Sequence, residues 1–201
     1  MSASPAAHTG NAIPTQRTAN RRPIPILVYH QIAPAPAKGA PFRSLYVSPA
    51  SFARQMAMLK LLGYTGLSMT ALMPYLRGEK TGKVVGITFD DGYLNNLTNA
   101  LPALQQRGFS STCYAVSALL GKTNQWDEEV GIAQTPLMDA AQIQAWVDGG
   151  QEIGSHTAHH VDLRALADDA GRADMLEGQQ VLADITGNTI GHFCYPYGHY
   201  E

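Results

Sequence analysis

The segment KVVGITFDDGY, residues 83–93, constrains the fold more than any other part of the sequence. The apolar, β-branched run at 84–89 predicts a strand that is buried on both faces. Asp90 and Asp91 follow it directly, and Gly92 allows the chain to reverse. Two carboxylates therefore stand at the carboxyl end of a core strand, where parallel α/β sheets and barrels place their chemistry.

The adjacency of Asp90 and Asp91 predicts two different roles. Successive side chains of an extended strand point to opposite sides, so the two acids cannot share one task unless the strand end bends. A purely structural alternative remains open on this stretch alone, in which one aspartate caps the following turn and the other is solvated.

Length and composition indicate one globular domain. The chain has 201 residues, 45% of them hydrophobic, and a formal net charge of -2, which gives no electrostatic case for binding nucleic acid or an acidic membrane surface. Cys113 and Cys194 each lie in an apolar run and are expected to be buried thiols without a disulfide. No window reaches the ~18 uninterrupted apolar residues of a transmembrane helix.

Residues 1–22 are rich in Ala, Ser, Thr and Asn and have no apolar centre, so they are expected to form a flexible tail rather than a secretory signal. A cytoplasmic location is the simplest expectation. A chain from which a signal had been removed, and which acts in the periplasm or outside the cell, would look the same.

Strand and helix patterns alternate with short links from residue 23 onward, which predicts an α/β fold with a parallel sheet or barrel. Strands are expected at 23–30, 65–68, 84–89, 111–116, 152–156 and 190–195. Helices are expected from Ser48-Pro49 to Gly63, at 70–77, at 99–107, from Asp139 to Gly149, and at 168–185.

Two further residues leave alternatives open. His30 ends an apolar strand as Asp90 does, yet a lone histidine there is often a hydrogen-bonded structural residue. Trp126 lies in a long polar loop, residues 117–136, and loops of ~20 residues within a domain are usually functional or mobile. Its ring could stack on a sugar or anchor the loop.

The segment SHTAHH, residues 155–160, suggests a metal site. His156 and His160 are four residues apart, a spacing that on a helical turn puts both imidazoles on one face. With a strand-end carboxylate they give two nitrogens and one oxygen with open positions, a set typical of catalytic zinc. The metal would activate water, one aspartate would ligate and the other would act as base, and a strand-end histidine would protonate a leaving amine.

Three segments resemble the leading motifs of the NodB-type polysaccharide deacetylases, carbohydrate esterase family four. They are TFDDGY at 88–93, SHTAHH at 155–160 and FCYPYG at 193–198, in matching order and spacing. LVYH at 27–30, with the Ser-Pro helix after it, resembles the circularly permuted branch that deacetylates poly-N-acetylglucosamine. The resemblance implies a distorted (β/α)7 barrel over 23–201, expected to be incomplete at the C-terminus because Glu201 follows the last motif closely.

The resemblance implies a role for each matching residue. Asp90 is the expected general base and His30 the expected general acid. Asp91, His156 and His160 are the expected metal ligands.

Tyr195, Pro196 and Tyr197 are expected to bind substrate, with the backbone N–H of Tyr197 stabilising the oxyanion. Cys194 stands where many members of the family carry an arginine that orients the base, a departure shared with the permuted branch. His159 is expected outside the ligand set, and His8, His192 and His199 match no role.

The expected activity is removal of N-acetyl groups from an N-acetylhexosamine-containing polysaccharide or glycan by metal-activated water. Zinc is the expected metal, and cobalt or nickel would also fit the ligand set. Alternatives within the same machinery are peptidoglycan, chitin oligomers, acetyl-xylan or a small cyclic amide. A non-catalytic carbohydrate-binding protein is the alternative from another class.

Overall fold

The five strands of the sheet are all parallel and bring their carboxyl ends to one edge. In chain order they are β1 Ile26–Tyr29, β2 Thr65–Leu67, β3 Val84–Phe89, β4 Thr112–Ala115 and β5 Glu152–Ser155. The computed structural model describes residues 23–200, so the tail expected at 1–22, with His8, and Glu201 lie outside the described residues.

Strand β3 occupies the centre of the sheet, whose order is β1-β3-β4-β5, and β2 pairs with the first half of β3. All six residues of β3 are buried, as its continuous apolar run predicts. The α/β class with a parallel sheet is therefore confirmed. The sheet of the described residues has five strands, and the seven-stranded barrel that the resemblance implies stays a prediction.

In the described part of the chain, five α-helices cover the sheet. They are α1 Pro49–Leu61, α2 Met69–Leu76, α3 Leu101–Gln105, α4 Ala140–Asp148 and α5 Asp168–Thr186. Ser48 caps α1 by accepting a hydrogen bond from the N–H of Ser51, and Asp139 and Gln142 form a capping box on α4, so both predicted helix starts are confirmed. Within residues 23–200, no helix combines the length and apolarity that crossing a bilayer requires.

An aromatic cluster in the core holds β3 against the helices. The ring of Phe89 packs on Tyr29, Phe52 and Trp146, with ring centroids 5.6, 5.8 and 5.6 Å away. The indole N–H of Trp146 donates to the carbonyl of Glu152 at the start of β5. Because Phe89 directly precedes Asp90 and Asp91, this packing also fixes the position of the strand end from which the two carboxylates project.

Two predicted elements differ in the structure. The strand expected at 190–195 reduces to one bridge between Ser155 and Phe193, since the pairing ends just before Pro196, which has no N–H to donate. The helix expected at 99–107 begins with a π-helical turn, Asn96–Ala100, before α3. Pro102 in α3 lacks an N–H, so the regular hydrogen-bond ladder cannot continue back through this turn.

Candidate active site

The end of β3 bends, so that both aspartates face one cavity. Asp91 has a φ of 74°, in the left-handed region, and Gly92 follows with a φ of 78°. An extended residue at 91 would send its side chain away from that of Asp90. The bend instead brings Asp90 and Asp91 to the same cavity, and Asp91 is almost fully buried.

Asp91, His156 and His160 converge, as the sequence and the resemblance indicate. Oδ1 of Asp91 lies 3.4 Å from Nε2 of His156 and 3.3 Å from Nε2 of His160. One ligand atom from each residue lies within 4.8 Å of the others, and all three residues are buried. Two imidazole nitrogens and one carboxylate oxygen in a buried pocket fit a divalent transition metal with open positions for other ligands.

Neighbouring groups orient both imidazoles. Nδ1 of His156 lies 2.9 Å from the carbonyl oxygen of Cys194, which can only accept, so this nitrogen carries a proton and Nε2 is directed towards Asp91. Nδ1 of His160 lies 3.3 Å from the hydroxyl of Tyr197. The ring of Trp126 stacks on His160 with centroids 4.1 Å apart, so this tryptophan anchors its loop to the candidate metal site.

The histidine loop is not a helical turn, contrary to the expectation from the spacing. Thr157 and His160 have φ values of 66° and 57°, so the chain turns back on itself between His156 and His160. Asp174 of α5 accepts a hydrogen bond from the N–H of Ala158 at 2.7 Å and pairs with Nδ1 of His159 at 2.7 Å. His159 therefore lies outside the ligand cluster, as predicted, and helps to hold the loop.

Charges in the cluster are strongly coupled. Burial alone would raise the pKa of Asp91, but the hydrogen bonds and charges of His156 and His160 outweigh it and lower that pKa well below its usual value. Burial would lower the pKa of His156, but its hydrogen bonds to Asp91 and Cys194 raise it to about 10. Protons and a metal ion compete for the same imidazole lone pairs, so metal binding here would release protons.

Asp90 stands apart from this cluster and has an unsatisfied oxygen. Burial is the main cause of a raised pKa at Asp90, and among the described residues its buried Oδ1 has no hydrogen-bond partner. Its Oδ2 lies 3.9 Å from Nε2 of His30 and 3.9 Å from Sγ of Cys194. A buried carboxylate with a free oxygen and a raised pKa has the properties of a general base.

These groups open into a cavity of about 430 Å³. Tyr195 and Tyr197 line it as predicted, whereas Pro196 is buried and does not line it. The structure adds Phe42 and Asp127 to the lining. The length of the loop at 117–136 was the sequence signal for Asp127, but nothing in the sequence singled out Phe42.

Backbone strain is concentrated around this cavity. Among residues 23–200, the non-glycine residues with positive φ are Phe42, Asp91, Thr157, His160 and Tyr197. Four of them line the cavity, and the fifth, Thr157, lies in the loop between His156 and His160. Strained conformations of this kind persist where the surrounding structure enforces them, and they cluster at functional sites.

Sequence comparison associates the chain with a known family. The family model described as "Polysaccharide deacetylase" matches residues 77–201, a region that contains Asp90 and Asp91 as well as His156 and His160. YxkH of Bacillus subtilis (strain 168), a polysaccharide deacetylase by name, is 27% identical over 180 residues, which cover 89% of this chain. The same match covers 58% of YxkH, so the chain spans little more than half the length of this relative.

Solved structures show the same fold. The Streptococcus pyogenes deacetylase PplD, in complex with acetate, superposes with a TM-score of 0.72 at 26% identity, over 89% of this chain and 75% of PplD. BC0361, a polysaccharide deacetylase from Bacillus cereus, gives a TM-score of 0.69 at 30% identity, over 89% of this chain and 52% of BC0361.

Proposed function

Because this chain belongs to the polysaccharide deacetylase family, we propose that it hydrolyses N-acetyl groups of an N-acetylhexosamine-containing polysaccharide with the help of a divalent metal, zinc by first choice. The observation that carries the proposal is the buried cluster of Asp91, His156 and His160 beside a separate carboxylate, Asp90. An open three-ligand set next to an available base suits hydrolysis, whereas a structural zinc site would have four protein ligands.

Asp91, His156 and His160 would hold the metal, and the chemistry of their atoms fits it. Nδ1 of His156 is engaged by a carbonyl, which directs Nε2 inward, and the two Nε2 atoms share one carboxylate oxygen, Oδ1 of Asp91. When bound, a divalent metal would lower the pKa of water and polarise the acetamide carbonyl. Zinc, cobalt and nickel all accept this set of ligands.

Asp90 would take the proton from the attacking water. Its free Oδ1 is buried in the site, and the pKa raised by burial makes the carboxylate a stronger base than an exposed aspartate. His30, 3.9 Å from Asp90 across the strand ends, would donate the proton that the departing sugar amine requires. The acid and base thus come from two neighbouring strands.

The backbone N–H of Tyr197 is suited to stabilise the oxyanion. Tyr197 has a φ of 60°, and its N–H has no hydrogen-bond acceptor in the part of the chain that the structure describes. Preorganised backbone donors of this kind stabilise tetrahedral intermediates of acyl transfer.

The polymer that we favour is poly-N-acetylglucosamine. His30 directly follows β1, and β1 pairs with β3, the strand that Asp90 follows, as the permuted branch would require. The exposed aromatic rings of Tyr195 and Tyr197 at the cavity mouth also suit a sugar face. The same rings would serve a non-catalytic carbohydrate-binding protein, which is the second candidate.

Acetate release tests the proposal. The zinc-loaded protein should release acetate from an N-acetylglucosamine oligomer, and the metal-stripped protein should regain activity on addition of zinc. Acetyl-xylan and peptidoglycan provide the comparison substrates. Stoichiometric metal and oligomer binding without acetate from any substrate would reject the hydrolase and support the binding protein.

A further inference from the structure

Asp127 is a carboxylate built into the cavity wall, and the proposed reaction does not use it. The loop that carries it is held by Asn124, whose side chain is fully buried. Nδ2 of Asn124 donates to Oδ2 of Asp127 at 2.8 Å, and Oδ1 of Asn124 accepts from the N–H of Thr135 at 2.7 Å. One oxygen of Asp127 is thus fixed, and within residues 23–200 Oδ1 has no hydrogen-bond partner and is available to a ligand.

The position of Asp127 is tied to the metal ligands without its being one of them. Its neighbour Trp126 stacks on His160 with ring centroids 4.1 Å apart, so this turn packs directly against that histidine. Asp127 does not belong to the cluster of ligand atoms around Asp91. Asp127 lines the same cavity as the three candidate ligands, so a polymer bound there would bring a neighbouring sugar unit within its reach.

Within the described part of the chain, no lysine or arginine side chain stands beside Asp127 in the cavity lining. The acidic residues that line the cavity are Asp90, Asp91 and Asp127. A divalent cation would be held by Asp91, and the protonated His30 that the proposed reaction needs would lie beside Asp90. Among the described residues Asp127 forms no ion pair with either of them, so its carboxylate can attract a cationic group of the substrate.

We propose, on the basis of the deacetylase function above, that Asp127 is a specificity-determining residue that binds the ammonium group of an already deacetylated hexosamine next to the reacting unit. The product of each hydrolysis carries such an amine, which is protonated up to about pH 7.7 if it behaves like an α-amino group. The site therefore selects partly deacetylated chains over fully acetylated ones, and it repels sugars that bear a carboxylate.

Binding and turnover together test this inference. Calorimetry at pH 6 would compare a glucosamine tetramer with an N-acetylglucosamine tetramer, and acetate release would compare a partly deacetylated tetramer with the fully acetylated one. The variant is Asp127→Asn, which keeps the shape and an acceptor for Asn124. Glu128→Gln is the matched control, because it removes the same charge from an exposed neighbour in the same loop.

We expect the wild type to prefer the amine-bearing oligomers, and Asp127→Asn to reduce that preference by about fivefold, as a charge-assisted hydrogen bond would. Glu128→Gln should retain the wild-type preference. An equal preference for amine-bearing oligomers in wild type and Asp127→Asn would overturn the inference. If both proteins still released acetate, the proposed function would stand. Binding selectivity that depends on Asp127, without acetate release from any oligomer, would refute the hydrolase and keep the inference.

Discussion

His30 and Asp90 face each other across the ends of two paired strands, with Nε2 of His30 3.9 Å from Oδ2 of Asp90. The parallel register pairs Tyr29 with Phe89, so the residue after each strand leaves the sheet at the same level. A backbone register therefore sets the spacing of the proposed acid and base, and no flexible loop lies between them.

Replacing Asp90 should separate chemistry from metal binding. Asp90→Asn removes the proposed base and leaves the cluster of Asp91, His156 and His160 unchanged. We expect acetate release to fall by about 10²- to 10⁴-fold while zinc content stays at the wild-type level. Activity assays and elemental analysis on the same preparation measure both. Loss of zinc in this variant would show that Asp90 is a ligand.

His156 and His159, two histidines of the same loop, should behave differently when replaced. His156→Ala removes a buried nitrogen that points at Asp91 and should abolish stoichiometric zinc binding. His159→Ala removes a half-exposed ring that pairs with Asp174, and it should retain the metal with a modest loss of stability. Competition with a chromogenic chelator gives the affinities, and equal affinities would contradict the ligand assignment.

Two glycines of α5 give a prediction about the support of the histidine loop. A Cβ at Gly178 would lie 2.8 Å from the carbonyl carbon of Thr157 and 3.0 Å from the N of Ala158, so the loop would have to shift. Gly178→Ala should lower the free energy of unfolding by about 1–3 kcal/mol and weaken zinc binding.

Gly171→Ala is the matched control in the same helix, since its nearest contact would be a side-chain carbon of Leu163 at 3.4 Å. It should raise stability by about 0.5–1 kcal/mol, as alanine does within a helix. Urea unfolding measures both variants. Similar effects in the two would mean that the close approach at Gly178 is unimportant.

Glu152 should make stability depend on pH at the acid end. Burial would raise its pKa, but hydrogen bonds from Thr112 and Thr70, with the nearby His192, outweigh burial and lower it. A carboxyl whose pKa is lower in the folded state stabilises the protein above its unfolded pKa of ~4.3, and this contribution is lost as pH falls through the folded value.

Glu152→Gln should therefore cost about 1 kcal/mol or less at pH 7, because solvent screens this partly exposed group. The difference from wild type should shrink as the pH falls below ~4.3 and vanish once the pH is below the lowered folded pKa. Thermal unfolding across this range provides the measurement, and Glu177→Gln, on the exposed side of α5, is the control. A difference that stays constant with pH would mean that the carboxylate charge of Glu152 is not the cause.

The sequence predicted those parts of the site that depend on strand pattern and chain order. A buried run followed by acids predicted β3 and the position of Asp90, and the spacing of the motifs identified the cluster around Asp91. The conformation of the histidine loop was not predictable, because it depends on a carboxylate from α5, Asp174, and on the close approach of Gly178. Periodicity describes regular elements and carries no information about such contacts.

The role of Trp126 shows where local sequence stops being informative. Loop anchoring and sugar stacking were both open, and the structure places its ring on His160. Asp127 was not singled out, because its importance comes from Asn124, a residue whose burial no pattern of the loop indicates. Both are outcomes of packing between segments that are distant in sequence.

The left-handed residues around the cavity set a limit on how this protein can be stabilised. Thr157 and Tyr197 each occupy a backbone conformation that glycine would adopt more comfortably, by about 1 kcal/mol. Selection for heat resistance alone would therefore favour glycine at these positions, yet the added backbone freedom would loosen the placement of the proposed metal ligands and of the proposed oxyanion donor. Stabilised variants of this chain should therefore carry their substitutions on the outer helices and keep the strained residues beside the cavity.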